Sequence, residues 1–369
     1  MGDAHEYAEH GDTVMILRTS GTSGNKKTVP YSLKTLIVGA KCVAQSWGLE
    51  AGVDINLNMM PLYHVGGIVR NLLAPILSGS TVIITSGFDA AAFWDILQHH
   101  SPTWYYAVPT MHMAILEEGA QVMQQGHKSG GGMRTSIRMI ANAGGGLPHG
   151  LAVQLREMFV GSTVLPSYGM TECMPIATPP LDYKLEKPGT SGRSIGPEIS
   201  IFDENNNALK PGVFGRIMVR GSPVFAGYEN DVQANLKAFT TDGFFDTGDM
   251  GYLDEDGYLF ITGRSKEVIN RGGEIISPVE VEDAVLRHPK VLNAIAFSVP
   301  HAVLQETIGV VIVSRNPGLR VEAVVQFLSD KIHEYEIPQD ILILPELPKG
   351  ADGAVDANKC LDMYEAQSK

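Results

Sequence analysis

The sequence predicts an α/β protein in three parts: a large N-terminal α/β lobe over 1–198, a small β-rich subdomain of the same core over 199–264, and an α+β C-terminal domain over 265–369. Three observations carry that assignment. Apolar runs alternate with amphipathic stretches through the first half, short turn-bounded strands replace them from about Ile199, and helix and strand patterns mix again beyond Arg264.

In chain order, VMIL at 14–17, STVIIT at 80–85 and IRMIA at 137–141 read as buried strands, because each is a short continuous apolar run. Between them AAAFWDILQHH and LAVQLREMF have helical periodicity, so the sheet they build is expected to be covered on both faces. The glycines at 130–132 after QQGHKS mark a loop. ISIFDENNNAL, GRIMVRG and YLDEDGYLFITG follow as short strands, the last with a hairpin-type turn at Asp256-Gly257. SPVEVEDAVLRHP and VEAVVQFLSDKIHEY then read as helices, separated by the strands AIAFSVP and GVVIVS. No internal repeat is present.

The chain has 369 residues, 44% of them hydrophobic and 19% charged, with a formal charge of -13. A net anion does not suit broad binding to nucleic acid or to anionic lipid. Cys42, Cys173 and Cys360 are few, odd in number and not in ligand spacing, which excludes a disulfide framework and a zinc cluster and suits a reducing compartment. No run approaches the roughly 18 apolar residues of a membrane span, and the acidic start MGDAHEYAEHGD has no signal-peptide pattern. Glu6 breaks the myristoylation pattern and the terminal AQSK is not SKL, so the cytoplasm is the default expectation.

Four segments can carry chemistry. TSGTSGNKK, Thr19 to Lys27, follows the strand VMILR; its glycines allow close backbone approach, its hydroxyls and N–H groups suit phosphate oxygens, and Lys26 or Lys27 adds charge. It is not the GxxxxGK[ST] loop, and a plain Ser/Gly-rich turn is the competing reading. YGMTE, Tyr168 to Glu172, follows the strand TVLPS and offers a ring for a base and a carboxylate for Mg²⁺; a helix cap is the alternative. TGD, Thr247 to Asp249, offers an acidic side chain on a turn, for ribose hydroxyls or merely for an Asx turn. GRSKEVINRGGE places Arg264 before the last domain and Gly272-Gly273 in a turn after it.

Taken in order with the AGGG turn at 143–146, these segments resemble the adenylate-forming superfamily of acyl- and aryl-CoA synthetases, peptide-synthetase adenylation domains and luciferases. The resemblance runs from about Thr13 to Asp356. FWDILQHHSPTWYYAVPTMH and EVINRGGEIISPVEVEDAVLRHP are most similar to the branch of oxalate- and small-acid-CoA ligases. It implies an ATP-dependent ligase that uses Mg²⁺, joins a small carboxylic acid to AMP and then to coenzyme A, and closes its C-terminal domain as a mobile lid. An adenylation domain that loads the phosphopantetheine of a carrier protein, and a catalytically weak nucleotide- or acyl-adenylate-binding protein, remain alternatives.

The resemblance also implies roles. Thr19, Ser20, Gly21, Thr22, Ser23, Gly24 and Lys27 would hold the β- and γ-phosphates, and Gly144, Gly145 and Gly146 would flank adenine and the acyl pocket. Tyr168 would stack on adenine, Thr171 would touch the α-phosphate, Glu172 would hold Mg²⁺, and Asp249 and Arg264 would take the ribose hydroxyls. Lys266 falls at the hinge, and Gly272 and Gly273 would line the pantetheine tunnel. His64 in PLYHVGG would border the acyl pocket or be a core histidine; Arg70 is expected on a helix surface, with a second substrate carboxylate as its other reading. Trp104, Tyr105 and Tyr106 read as core more readily than as pocket wall.

Two departures stand out. Only 18 residues precede Thr19, where the family has a long N-terminal stretch, so a truncated first lobe with exposed apolar surface is expected. In LPKGADGAVDANK the lysine that would bridge the acyl carboxylate and α-phosphate is replaced by Ala354, with Lys349 and Lys359 nearby but out of register. Slow adenylation with nucleotide binding retained is the expectation.

Overall fold

The structure, a computed structural model, describes residues 8–19, 26–126, 135–142, 144–264, 268–272, 274–314, 316, 318–348 and 357–367. The chain forms two compact units, Met1–Thr247 with Tyr252–Phe260, and Gly248–Gly251 with Ile261–Lys369.

The first unit opens with an antiparallel pair, β1 (Thr13–Arg18) and β2 (Thr28–Ser32), in a two-stranded sheet of its own. This corrects the reading of VMIL as a buried strand. Val14 and Ile16 are 42% and 53% exposed, while Val29 and Tyr31 of β2 are buried. Periodicity locates a strand but cannot tell which neighbour covers it.

A five-stranded parallel sheet follows. Its elements in chain order are α1 (Leu33–Ser46), β3 (Ile55–Asn58), a π-helix at Gly66–Leu73, α2 (Ala74–Ser78), β4 (Thr81–Ile84), α3 (Ala90–His100), β5 (Trp104–Ala107), α4 (Pro109–Gly126), β6 (Met139–Asn142), α5 (His149–Met158) and β7 (Thr163–Pro166). The strand order is β4-β3-β5-β6-β7. Side chains on β5 alternate between two apolar layers. Trp104 meets Trp47 edge-on at 5.3 Å and Tyr106 lies 6.4 Å from the same ring, whereas Tyr105 packs on Phe93 of α3 at 5.0 Å. Both faces are therefore dry at β5, as expected, and WYYA can be apolar at every position. The run STVIIT is not the buried strand expected: β4 lies at the sheet edge, with Thr81 exposed and Ile84 55% exposed. Trp104, Tyr105 and Tyr106 are core residues.

At the amino ends of three neighbouring strands sits a polar lock. Asp54 precedes β3, Thr103 precedes β5 and Arg138 precedes β6. Arg138 Nε and Nη2 donate to the two Asp54 oxygens at 2.7 and 2.9 Å, and the Thr103 hydroxyl and the Glu50 N–H each donate at 2.8 Å.

A seven-stranded sheet takes in β8 (Tyr168–Met170), β9 (Cys173–Thr178), β10 (Thr190–Ser194), β11 (Glu198–Phe202), β12 (Gly215–Arg220), β13 (Phe245–Leu253) and β14 (Leu259–Arg264), in the order β11-β12-β13-β14-β10-β9-β8; α6 (Val232–Ala238) lies between β12 and β13 in sequence. The turn at Asp256-Gly257 forms as expected: Asp254 Oδ1 accepts from the Asp256 and Tyr258 N–H groups, and Gly257 has φ +78.

The second unit contains β15 (Ile269–Arg271), β16 (Glu274–Ile276), α7 (Pro278–Leu286), β17 (Val291–His301), β18 (Gln305–Ser314), α8 (Val321–Leu328), β19 (Asp340–Leu344) and α9 (Ala357–Gln367). The sheet order is β16-β15-β18-β17, with β19 parallel to β18. Ile308, Val310 and Ile312 face a core shared with α7 and α8, and Val311 faces Phe297, Leu347 and Cys360. The helix expected over VEAVVQFLSDKIHEY stops at Leu328, the last buried residue of its stripe; a short 3-10 turn at Glu334–Glu336 stands beyond it, capped by His333 and Glu336. Among the described residues no helix is long and apolar enough to cross a membrane.

Candidate active site

Because the five central strands are parallel, the segments that leave their carboxyl ends emerge on one edge of the sheet, where open α/β folds bind ligands. His64 follows β3, Gly144 to Gly146 follow β6, and Ser167 and Tyr168 follow β7. A cleft of about 350 Å³ lies there, lined by Leu17, Arg18, Thr19, Lys26, Tyr63, His64, Val65 and Thr171.

The phosphate-loop segment is the connection between β1 and β2. Its base is closed by two bonds: the Thr19 N–H donates to Lys27 O at 3.0 Å, and the Lys27 N–H donates to Thr19 Oγ1 at 3.1 Å. Ser20, Gly21, Thr22, Ser23 and Gly24 lie outside the described residues.

His64 is exposed and faces the cleft, which separates it from the core-histidine reading. Partial burial of the ring lowers its pKa from the ordinary 6.5, which favours the neutral form. The glycines after it are needed for space: a Cβ on Gly67 would stand 2.2 Å from Pro61 O, and one on Gly66 2.8 Å from the Tyr106 hydroxyl.

The π-helix that follows carries Arg70, and here the expectation of a surface position is wrong. Arg70 is fully buried. Its Nε donates to Met174 Sδ at 3.1 Å, Nη2 donates to Tyr168 O at 2.9 Å, and Nη1 donates to the Ser167 hydroxyl. The guanidinium also lies over the Tyr106 and Trp47 rings, at 5.2 and 5.5 Å. Burial lowers its pKa, and among the described residues no carboxylate pairs with it. A surface pattern at helical spacing gave no sign of this brace behind Tyr168.

Thr171 and Glu172 form the two-residue turn of the β8–β9 hairpin, between the paired Met170 and Cys173. Glu172 is 6% exposed. Tyr228 Oη donates to Glu172 Oε1 at 2.8 Å, the Phe225 N–H donates to Glu172 O at 2.9 Å, and the Tyr31 hydroxyl donates to Thr171 O. Tyr31 and Tyr228 were not singled out in the sequence, since neither falls in a motif and Tyr228 is 56 residues from Glu172. On β6, Asn142 Nδ2 donates to Gly145 O at 3.0 Å, and Gly144 adopts φ +75.

In the second unit, Asp249 and Arg264 meet, Arg264 Nε lying 3.5 Å from Asp249 Oδ1. Asp249 is on strand β13 and buried, not on a turn as expected; Gly248 beside it has φ +75, a left-handed kink inside the strand. Gly272 has φ +64 and its N–H donates to Leu304 O at 2.7 Å. Lys266, Gly273, Lys349 and Ala354 lie outside the described residues, and Lys359 is exposed on α9.

No group of three or more His, Cys, Asp or Glu side chains that could hold a metal occurs among the described residues. The donor set still suits Mg²⁺, which is commonly held by one or two carboxylates together with nucleotide phosphates and water.

The family model for AMP-binding enzymes matches residues 2–229, and that for the AMP-binding enzyme C-terminal domain matches 280–354. The chain belongs to the AMP-binding enzyme family. Among its relatives are a probable CoA ligase of Humulus lupulus, 35% identical over 96% of this chain and 67% of that protein, and the oxalate–CoA ligase of Saccharomyces cerevisiae, 32% identical over 98% and 65%. The solved structure of o-succinylbenzoate coenzyme A synthetase from Bacillus subtilis with ATP and magnesium ion superposes with a TM-score of 0.83 at 30% identity, covering 95% of this chain and 70% of that one. The chain thus spans about two thirds of the length of the relatives it matches. Enzymes of this family use ATP with Mg²⁺, and their CoA-ligase members take coenzyme A as substrate.

Proposed function

We propose that the chain is an ATP-dependent ligase joining a small carboxylic acid to coenzyme A. The observation that carries this reading is one cleft bounded by the closed base of the phosphate loop, by His64 and by Thr171 of the Thr171–Glu172 turn. A carboxylate oxygen attacks the α-phosphorus, the bond to the β-phosphate oxygen breaks, and pyrophosphate leaves with the electron pair. The thiol sulfur of coenzyme A then attacks the acyl carbon of the mixed anhydride, a proton is lost, and AMP departs.

Thr19 and Lys27 bind the outer phosphates with the residues between them. Thr171 donates to the α-phosphate and Tyr168 stacks on adenine, its strand held from behind by Arg70. Glu172 holds Mg²⁺, which when bound offsets phosphate charge as pyrophosphate leaves. Asp249, oriented by Arg264, accepts from the ribose hydroxyls. His64 borders the acid, Lys266 is the hinge of the C-terminal domain, and Gly272 and Gly273 admit pantetheine. Oxalate is one candidate acid, supported by the likeness to the oxalate–CoA ligase of Saccharomyces cerevisiae.

The test is AMP release from ATP with coenzyme A and a panel of short, dicarboxylic, aryl and medium-chain acids. A short or dicarboxylic acid should support release, and Glu172→Gln should abolish it. Ala354 motivates a second reading, which the relatives do not favour: a nucleotide-binding protein that adenylates feebly. Nucleotide binding without AMP release on any acid would establish that reading instead.

A further inference from the structure

Residues 225–229, between β12 and α6, carry none of the motifs, yet they are bonded to both the phosphate-loop hairpin and the Thr171–Glu172 turn. The Phe225 N–H donates to Glu172 O at 2.9 Å and the Glu229 N–H donates to Thr28 O at 3.0 Å. Tyr228 stands between them. Its hydroxyl donates to Glu172 Oε1 at 2.8 Å, and the Lys27 ammonium lies 4.3 Å from its ring centroid. Its backbone is clamped by Asn235 of α6, whose Oδ1 accepts from the Tyr228 N–H at 2.7 Å and whose Nδ2 donates to Tyr228 O at 2.9 Å. Phe225 packs edge-on against the ring at 4.8 Å. The ring therefore has a fixed place, and the hydroxyl reaches a carboxylate rather than solvent.

We propose that Tyr228 is a positioning residue for the metal and phosphate end of the site, its hydroxyl orienting the Glu172 carboxylate for Mg²⁺ and its ring face holding the Lys27 ammonium ready for phosphate. This rests on the reading of Glu172 as the Mg²⁺ holder. A carboxylate fixed by one such bond gives up less freedom when it takes a cation, and losing an outer-shell partner of this kind typically costs about 10–100-fold in metal affinity. A ring face attracts an ammonium more weakly than a phosphate does, so Lys27 is stored there and not neutralised.

The experiment is binding of a fluorescent ATP analogue to the full chain, titrated with Mg²⁺ and repeated in EDTA. Tyr228→Phe keeps the ring and should raise the Mg²⁺ concentration for half-maximal binding about tenfold, with binding in EDTA unchanged. Tyr228→Leu removes the ring as well and should also weaken binding in EDTA. In a Glu172→Gln background, Tyr228→Phe should shift the Mg²⁺ midpoint no further. A purely structural tyrosine predicts equal losses with and without Mg²⁺, and that result overturns the proposal, as does an additive double mutant. If Glu172→Gln shifts the midpoint while Tyr228→Phe does not, the proposal alone fails; if Glu172→Gln leaves it unmoved, the assignment of Glu172 fails with it.

Discussion

Replacing Asp54 with asparagine isolates the lock at the amino ends of β3, β5 and β6. The carboxylate is 1% exposed and accepts four hydrogen bonds, two of them from Arg138. Removing one partner of a buried ion pair costs roughly 3–5 kcal/mol. The Arg138 side chain is 34% exposed and regains water when released, so the lower end applies, about 3 kcal/mol. Trp47, Trp94 and Trp104 are the only tryptophans of the chain and all are buried in the first unit, so their emission during urea unfolding reads this unit. A slope of roughly 3 kcal/mol/M places the midpoint of Asp54→Asn about 1 M below wild type. Burial alone would raise the Asp54 pKa, but the bonds from Arg138, Glu50 and Thr103 hold it below the ordinary 3.8. A depressed folded-state pKa gives stability that is complete above the unfolded value and lost as pH falls through the folded one, so the gap between the proteins should close below about pH 4. The lock is at the opposite end of the strands from the cleft, so the folded variant should bind ATP as wild type does. A cost under about 1 kcal/mol at pH 7, or a gap unchanged at pH 3, refutes the reasoning.

Two further outcomes follow from the site and the sequence. His64→Ala should raise KM for the acid several-fold and leave KM for ATP within about twofold if His64, which lines the cleft, borders the acid as proposed; steady-state kinetics with each substrate varied in turn checks it, and a shift confined to ATP contradicts it. Ala354→Lys should raise acid-dependent pyrophosphate release by at least about tenfold without tightening ATP, since the added cation acts on charge that develops during the transfer. An unchanged rate in the pyrophosphate assay removes the slow-adenylation expectation.

The sequence revealed whatever depends on local pattern. Strand positions such as TVII and MIAN, the Asp256-Gly257 hairpin and the order of the motifs are set by periodicity and by turn residues within a few positions of one another. It missed what depends on partners far along the chain. Arg70 looks like a surface residue until Ser167, Tyr168 and Met174 close over it, roughly a hundred residues later. Tyr228 and Tyr31 touch Glu172 and Thr171 through side-chain reach alone, and no spacing rule encodes that. TGD reads as a turn in the sequence, yet Asp249 lies within strand β13, which runs through Gly248 despite its φ of +75.

The two-residue turn at Thr171 and Glu172 also acts as a ruler. Met170 and Cys173 are paired on either side of it, so a residue added there must either enlarge the turn or slip β9 against β8, and a slip would carry every later side chain of β9 to the opposite face. β9 is buried at all six positions and has no tolerant face to offer. A substitution in the turn therefore leaves the register of the hairpin as it is, whereas a slip disturbs both packed faces of β9 at once. That is why the distance from Tyr168 to Glu172 can be read as a single five-letter word.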